Sequence, residues 1–117
     1  MILTGIDIIE VKRIKKIIQH SKRFLKKVYT PTEITYCNSR KNNKWQHFAV
    51  RFAAKEAVWK ALGKKDIWHR DITVKNTSDG KPEIILSKKY KNLEKKISLS
   101  LSHTDDYAVA VAVFNNK

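Results

Sequence analysis

The stretch Arg51-Phe52-Ala53-Ala54-Lys55-Glu56-Ala57-Val58-Trp59-Lys60-Ala61-Leu62-Gly63 constrains this chain most, because its residues both favour a helix and mark its end. Alanine is the strongest helix former, and Gly63 stands where a C-cap glycine belongs. Ala53, Ala57 and Ala61 recur every fourth residue, a smooth strip along which another element can approach closely. Glu56 and Lys60 share an adjacent strip. Taken alone, they are an exposed ion pair contributing roughly a few tenths of a kcal/mol. Extended backwards, the pattern predicts a helix over 45–62, about 27 Å long, as the spine of the molecule.

A second unusual carboxylate lies near the start. Residues 2–9 read as a β-branched strand, with Leu3, Gly5, Asp7 and Ile9 on one face and Ile2, Thr4, Ile6 and Ile8 on the other. An acid wedged among isoleucines costs several kcal/mol unless paired, hydrogen-bonded or metal-bound. The alternative is an Asp that caps the next helix. Gly5, on the same face, leaves room for something to come near the backbone.

The rest alternates short helices with strands. Val11, Ile14, Ile17 and Ile18 make one apolar stripe over 10–19, and Ser21 can cap a short helix carrying Phe24, Leu25 and Val28 inward. Thr30-Pro31-Thr32-Glu33 has the form of a capping box, with a helix running to about residue 37 and a polar loop over 38–44. Residues 64–70 form a basic loop with Trp68 and His69. Strands follow at 72–76 and 83–87 around the turn Ser78-Asp79-Gly80-Lys81, then a short amphipathic helix around Tyr90 and Leu93. Two antiparallel strands, 97–102 and 107–114, close the chain. The expected class is α+β: an antiparallel sheet packed on one long central helix, with short helices at the edges, in a single domain over 1–117.

Composition narrows the function. With 25 basic residues against 11 acidic ones the net charge is +14, which suits a polyanionic partner: nucleic acid, an acidic protein or a phosphorylated small molecule. The basic residues concentrate between Glu10 and Glu33, where no acid occurs. Phe24 is the sole aromatic residue among those charges up to Val28, so no stacking platform for bases appears and no specific nucleic-acid signature is found. No apolar run approaches the roughly 20 residues that span a bilayer, and the acid-bearing start is no signal peptide, so no membrane role is expected. One cysteine, Cys37, suits a cytoplasmic location. One cysteine and scattered histidines do not make a zinc site, and Ser102 and His103 point to opposite faces of their strand. Asp7 and Glu56 together are a partial shell for magnesium, which takes one or two carboxylates plus phosphates and water. Lys60, one turn beyond Glu56, would meet the same phosphates. That combination is the kit of phosphoryl transfer.

Three segments in order, Gly5-Ile6-Asp7-Ile8-Ile9-Glu10-Val11-x-Arg13-Ile14, the Arg51–Gly63 stretch and Ser100-Leu101-Ser102-His103, resemble the signatures of the holo-(acyl-carrier-protein) synthases, the small 4'-phosphopantetheinyl transferases. The resemblance implies an enzyme that moves the phosphopantetheine arm of coenzyme A onto a serine of an acyl carrier protein in fatty acid biosynthesis, releasing adenosine 3',5'-bisphosphate. It implies that Asp7 and Glu56 bind Mg2+ and that Lys60, with Arg51, contacts phosphates. It places His103 beside the substrate, with Glu56, Lys60 and His103 as catalytic residues and Glu56 or a magnesium-bound water as base. Arg13, with Lys12, Lys16 and Arg23, would dock the acidic carrier protein. The family's small members are homotrimers with sites between subunits. Leu3 stands where relatives often have another glycine, and the loop after the spine helix lacks their glycines. A purely scaffolding or carrier-binding module is the competing class; it leaves Asp7 without a purpose.

Overall fold

The computed structural model describes residues 1–63 and 66–117; the part of the expected basic loop that falls on Lys64 and Lys65 lies outside them. The chain runs β1 (Ile2–Glu10), α1 (Val11–His20), α2 (Lys22–Val28), α3 (Pro31–Ser39), α4 (Lys44–Leu62), β2 (Ile72–Asn76), β3 (Pro82–Leu86), β4 (Ile97–His103) and β5 (Tyr107–Asn115). Short 3-10 segments cover His69–Asp71 and Lys88–Lys96. The α+β architecture around one long helix is as expected, and each boundary falls within a residue or two of its predicted place.

α4 lies on a three-stranded antiparallel sheet ordered β1-β5-β4. Its partner strand β5 presents Ala108, Ala110 and Ala112, all buried, so a helix with its own alanine strip can sit close. Leu3, Leu99, Leu101 and Phe114 fill the remaining space around Ala53, Ala57 and Ala61. Registers set Asp7 opposite Ala110 and His103 opposite Ala108, both across β5. The sheet's other face is a different matter: Ile2, Ile6 and Ile8 are exposed there, and Val109, Val111 and Val113 only half-buried.

The hairpin β2-β3 is a separate two-stranded sheet rather than an extension of the first. After β3, the 3-10 segment anchors itself instead of letting β4 pair beside it. Tyr90 is buried and donates to the Asp66 carbonyl at 2.8 Å, and Glu94 accepts the Leu86 N–H at 2.9 Å.

A second apolar cluster joins α1, α2 and α3 to the first half of α4 through Val11, Ile14, Val28, Tyr29, Cys37 and Phe48. Ser21 caps α2 as expected, accepting from the Phe24 N–H. Glu33 does more than cap α3. Fully buried, it accepts the Thr30 and Val74 N–H groups and pairs with buried Lys55 at 2.6 Å. Lys55 also donates to the carbonyls of Val28 and His69. Burial pushes the Lys55 ammonium pKa down, and Glu33 opposes that. With every polar atom matched, the pair ties four elements to the spine helix.

Candidate active site

The site begins at Gly5. A Cβ there would stand 2.0 Å from the Ala57 carbonyl oxygen and 2.8 Å from the Ala61 nitrogen. Only a residue without a side chain lets β1 lie directly on α4. Asp7, two residues along the same face, is thereby set beside the last turns of the helix. Lys60 donates to the Ile6 carbonyl at 2.9 Å and pairs with Asp7 Oδ1 at 3.4 Å. Burial raises the Asp7 carboxyl pKa, the Lys60 ammonium lowers it, and the neighbouring Glu56 carboxylate raises it further. The Glu56 carboxylate thus acts on that of Asp7 at the β1–α4 contact, where the half-exposed Lys60 ammonium rests on Asp7.

Glu56 and Lys60 do not pair with each other. Lys60 turns to Asp7, and Glu56 Oε2 meets His69 Nε2 at 3.1 Å. His69 is held on two further sides: its ring stacks on Phe52 at 5.6 Å and 12°, and its carbonyl takes a bond from Lys55. His69 is the residue here that the sequence did not single out. Its loop setting offered no periodicity to connect it with Glu56.

Arg51 and His103 form a second group. The Arg51 guanidinium is buried, lies 4.6 Å from the Tyr36 ring centre, and bonds Asn76 Oδ1 at 2.7 Å and His47 Nδ1 at 3.3 Å. Among the described residues its Nε has no partner and no carboxylate pairs with it. His103, exposed at the end of β4, packs 6.3 Å from the His47 ring. A cavity of about 190 Å3 runs between Arg51, His47, His103, Asn76 and Gly80. The spacing of His47 four residues before Arg51 was the available signal for its part in this group. No described hydrogen bond or shared cavity joins His103 to Asp7, Glu56 or Lys60, so the chain presents two separate groups.

Lys12, Arg13 and Lys16 on α1 and Arg23 on α2 are all exposed. The α1 N-terminus is fastened to the β4–β5 turn by the Val11 N–H on the Asp106 carbonyl, 2.8 Å.

Among the described residues no group of three or more His, Cys, Asp and Glu side chains is placed to hold a metal. Two hard carboxylates alone suit an ion that leaves most of its coordination to water and phosphate, which is the habit of magnesium rather than of zinc or calcium.

The family model of the 4'-phosphopantetheinyl transferase superfamily matches residues 4–112. The chain is 48% identical to a holo-(acyl-carrier-protein) synthase of Ruminiclostridium cellulolyticum, over 97% of this chain and 91% of that one. The holo-(acyl-carrier-protein) synthase of Bacillus anthracis, solved in complex with CoA (3',5'-ADP), is 35% identical with a TM-score of 0.82, covering 98% of this chain and 96% of that one. The Helicobacter pylori enzyme in complex with coenzyme A is 33% identical, also at 0.82, covering 97% and 100%. A spine helix carrying Glu56 and Lys60, a strand laid on it through a glycine, and this likeness over nearly the whole length agree: the chain belongs to the 4'-phosphopantetheinyl transferase superfamily, among the holo-(acyl-carrier-protein) synthases.

Proposed function

We propose that this chain transfers the 4'-phosphopantetheine arm of coenzyme A to a serine of an apo acyl carrier protein, releasing adenosine 3',5'-bisphosphate. The observation that carries this reading is the contact of Asp7 with Lys60 where β1 crosses α4, with Glu56 near enough for its charge to raise the Asp7 pKa. Asp7 and Glu56 are the residues that would hold Mg2+, and Lys60, which rests on Asp7, would contact the pyrophosphate of coenzyme A. Magnesium, when bound, neutralises the phosphate charge that otherwise repels a nucleophile. The serine oxygen of the carrier protein forms a bond to the phosphorus bearing the arm, and the bond from that phosphorus to the bridging oxygen breaks. The serine proton passes to a base, either Glu56, which His69 holds, or a magnesium-bound water. The buried, carboxylate-free Arg51 and the neighbouring His103 supply a pocket for another phosphate of the nucleotide.

Because one chain keeps these two groups apart, we place the complete site between copies, in a homotrimer. The apolar outer face of the sheet supports this: Ile2, Ile6 and Ile8 are 65%, 61% and 64% exposed, a patch that a lone monomer would not leave in water. The exposed basic faces of α1 and α2 receive the acidic carrier protein. The product serves fatty acid biosynthesis in the cytoplasm, a setting consistent with the single free thiol of Cys37.

The test is the mass of an apo carrier protein after incubation with this chain, coenzyme A and magnesium. A gain of one phosphopantetheine is expected, lost on replacing Asp7→Asn or Glu56→Gln in chains that still melt cooperatively. No mass gain with the unaltered chain would overturn the reading.

A further inference from the structure

Beside Glu56 the structure holds a second cavity, about 470 Å3, between the end of α4 and the segment before β2. Its walls are Trp59, Ile67, Trp68 and Ile72, with Lys55, Glu56 and His69 at its polar end. Those polar groups are already matched. Lys55 is spent on Glu33, Val28 and His69, and Glu56 and His69 bond each other. What the cavity offers a ligand is therefore apolar surface that starts at a metal-binding carboxylate. Trp59 and Trp68 nonetheless remain 42% and 66% exposed, a costly place for two indoles unless something covers them.

Resting on the function proposed above, the chemistry of the donor identifies what covers them. Next to the phosphate being transferred, the arm of coenzyme A begins CH2–C(CH3)2–CH(OH)–, its most apolar and branched segment. The amides that need hydrogen-bond partners come only further along. With the phosphorus held at Asp7 and Glu56, the branched carbon lies a few bonds beyond Glu56. We propose that the Trp59–Trp68 cavity receives the geminal dimethyl segment of the arm, and that these two tryptophans select which arms are transferred.

The test compares coenzyme A with its analogue lacking both geminal methyl groups. Removing two buried methyls predicts about a tenfold lower kcat/KM for the analogue with the unaltered chain. In Trp59→Ala and Trp68→Ala, both changes at exposed positions, that preference shrinks to within about twofold. A binding arm needs no turnover: in a Trp45→Phe background, coenzyme A shifts the tryptophan emission whereas adenosine 3',5'-bisphosphate, which has no arm, does not. Equal rates for the two donors, or equal emission with both ligands, would remove the cavity from the reaction while leaving the transferase reading intact. Absence of any transfer from coenzyme A would remove both.

Discussion

His47 sits among cations. Burial, then Arg51, Arg40 and the ring of His103, push its pKa down to about 4, against about 6.5 in an unfolded chain. The unfolded state therefore binds the extra proton first as pH falls, and the stability His47 contributes above about pH 6.5 is lost on the way to about pH 4. Replacing it, His47→Gln, should flatten that decline, visible as a smaller difference between urea midpoints measured near pH 7.5 and pH 5. An identical decline in both proteins would show that another group carries it. At this scale the sequence is informative about chemistry and mute about partners. Asp7 stood out because a carboxylate in a β-branched strand needs a reason. Lys55 and Glu33 did not, since Glu33 read as the acid of a capping box and nothing singled out Lys55. Only a fold that brings residues 22 positions apart into one dry contact turns them into the buried pair, and no local pattern encodes that distance.

Between elements, the critical contact is a strand backbone resting on a helix. Gly5→Ala would force a methyl carbon against the Ala57 carbonyl, a backbone atom with nowhere to go. A loss of about 3 kcal/mol in denaturant unfolding is expected, with transferase activity falling more than the folded fraction, because Asp7 moves with β1. A stability change under about 0.5 kcal/mol would mean that β1 shifts freely on α4. The elements themselves were legible: alanine spacing, Gly63 and the Ser21 and Pro31 signals place each helix to within a residue or two. The division into two sheets was not. Alternation tells which residues of a strand share a face but not which strand lies alongside, and here Tyr90 and Glu94 settle the matter from a segment with little pattern of its own.

For the molecule as a whole, net charge is the dominant long-range property. Arg13, exposed on α1, belongs to a surface with no acid between Glu10 and Glu33. Arg13→Glu is expected to raise KM for the carrier protein about tenfold while leaving KM for coenzyme A within about twofold. Added salt should weaken carrier-protein use in the unaltered chain, since steering by exposed charge is screened over about 10 Å at 0.1 M. Equal effects on both substrates would place Arg13 at the nucleotide instead.

With the complete site built between copies, as proposed above, the separation of the Asp7 group from the Arg51 group has a genetic consequence. Chains disabled on opposite sides of that divide should rescue one another: Asp7→Asn chains alone and His103→Ala chains alone would be inert, yet unfolding and refolding them as a mixture would restore a fraction of turnover. Each rescued centre would borrow its acid from one parent and its imidazole from the other. Pairing Asp7→Asn with Glu56→Gln, whose defects fall on the same side, would restore nothing.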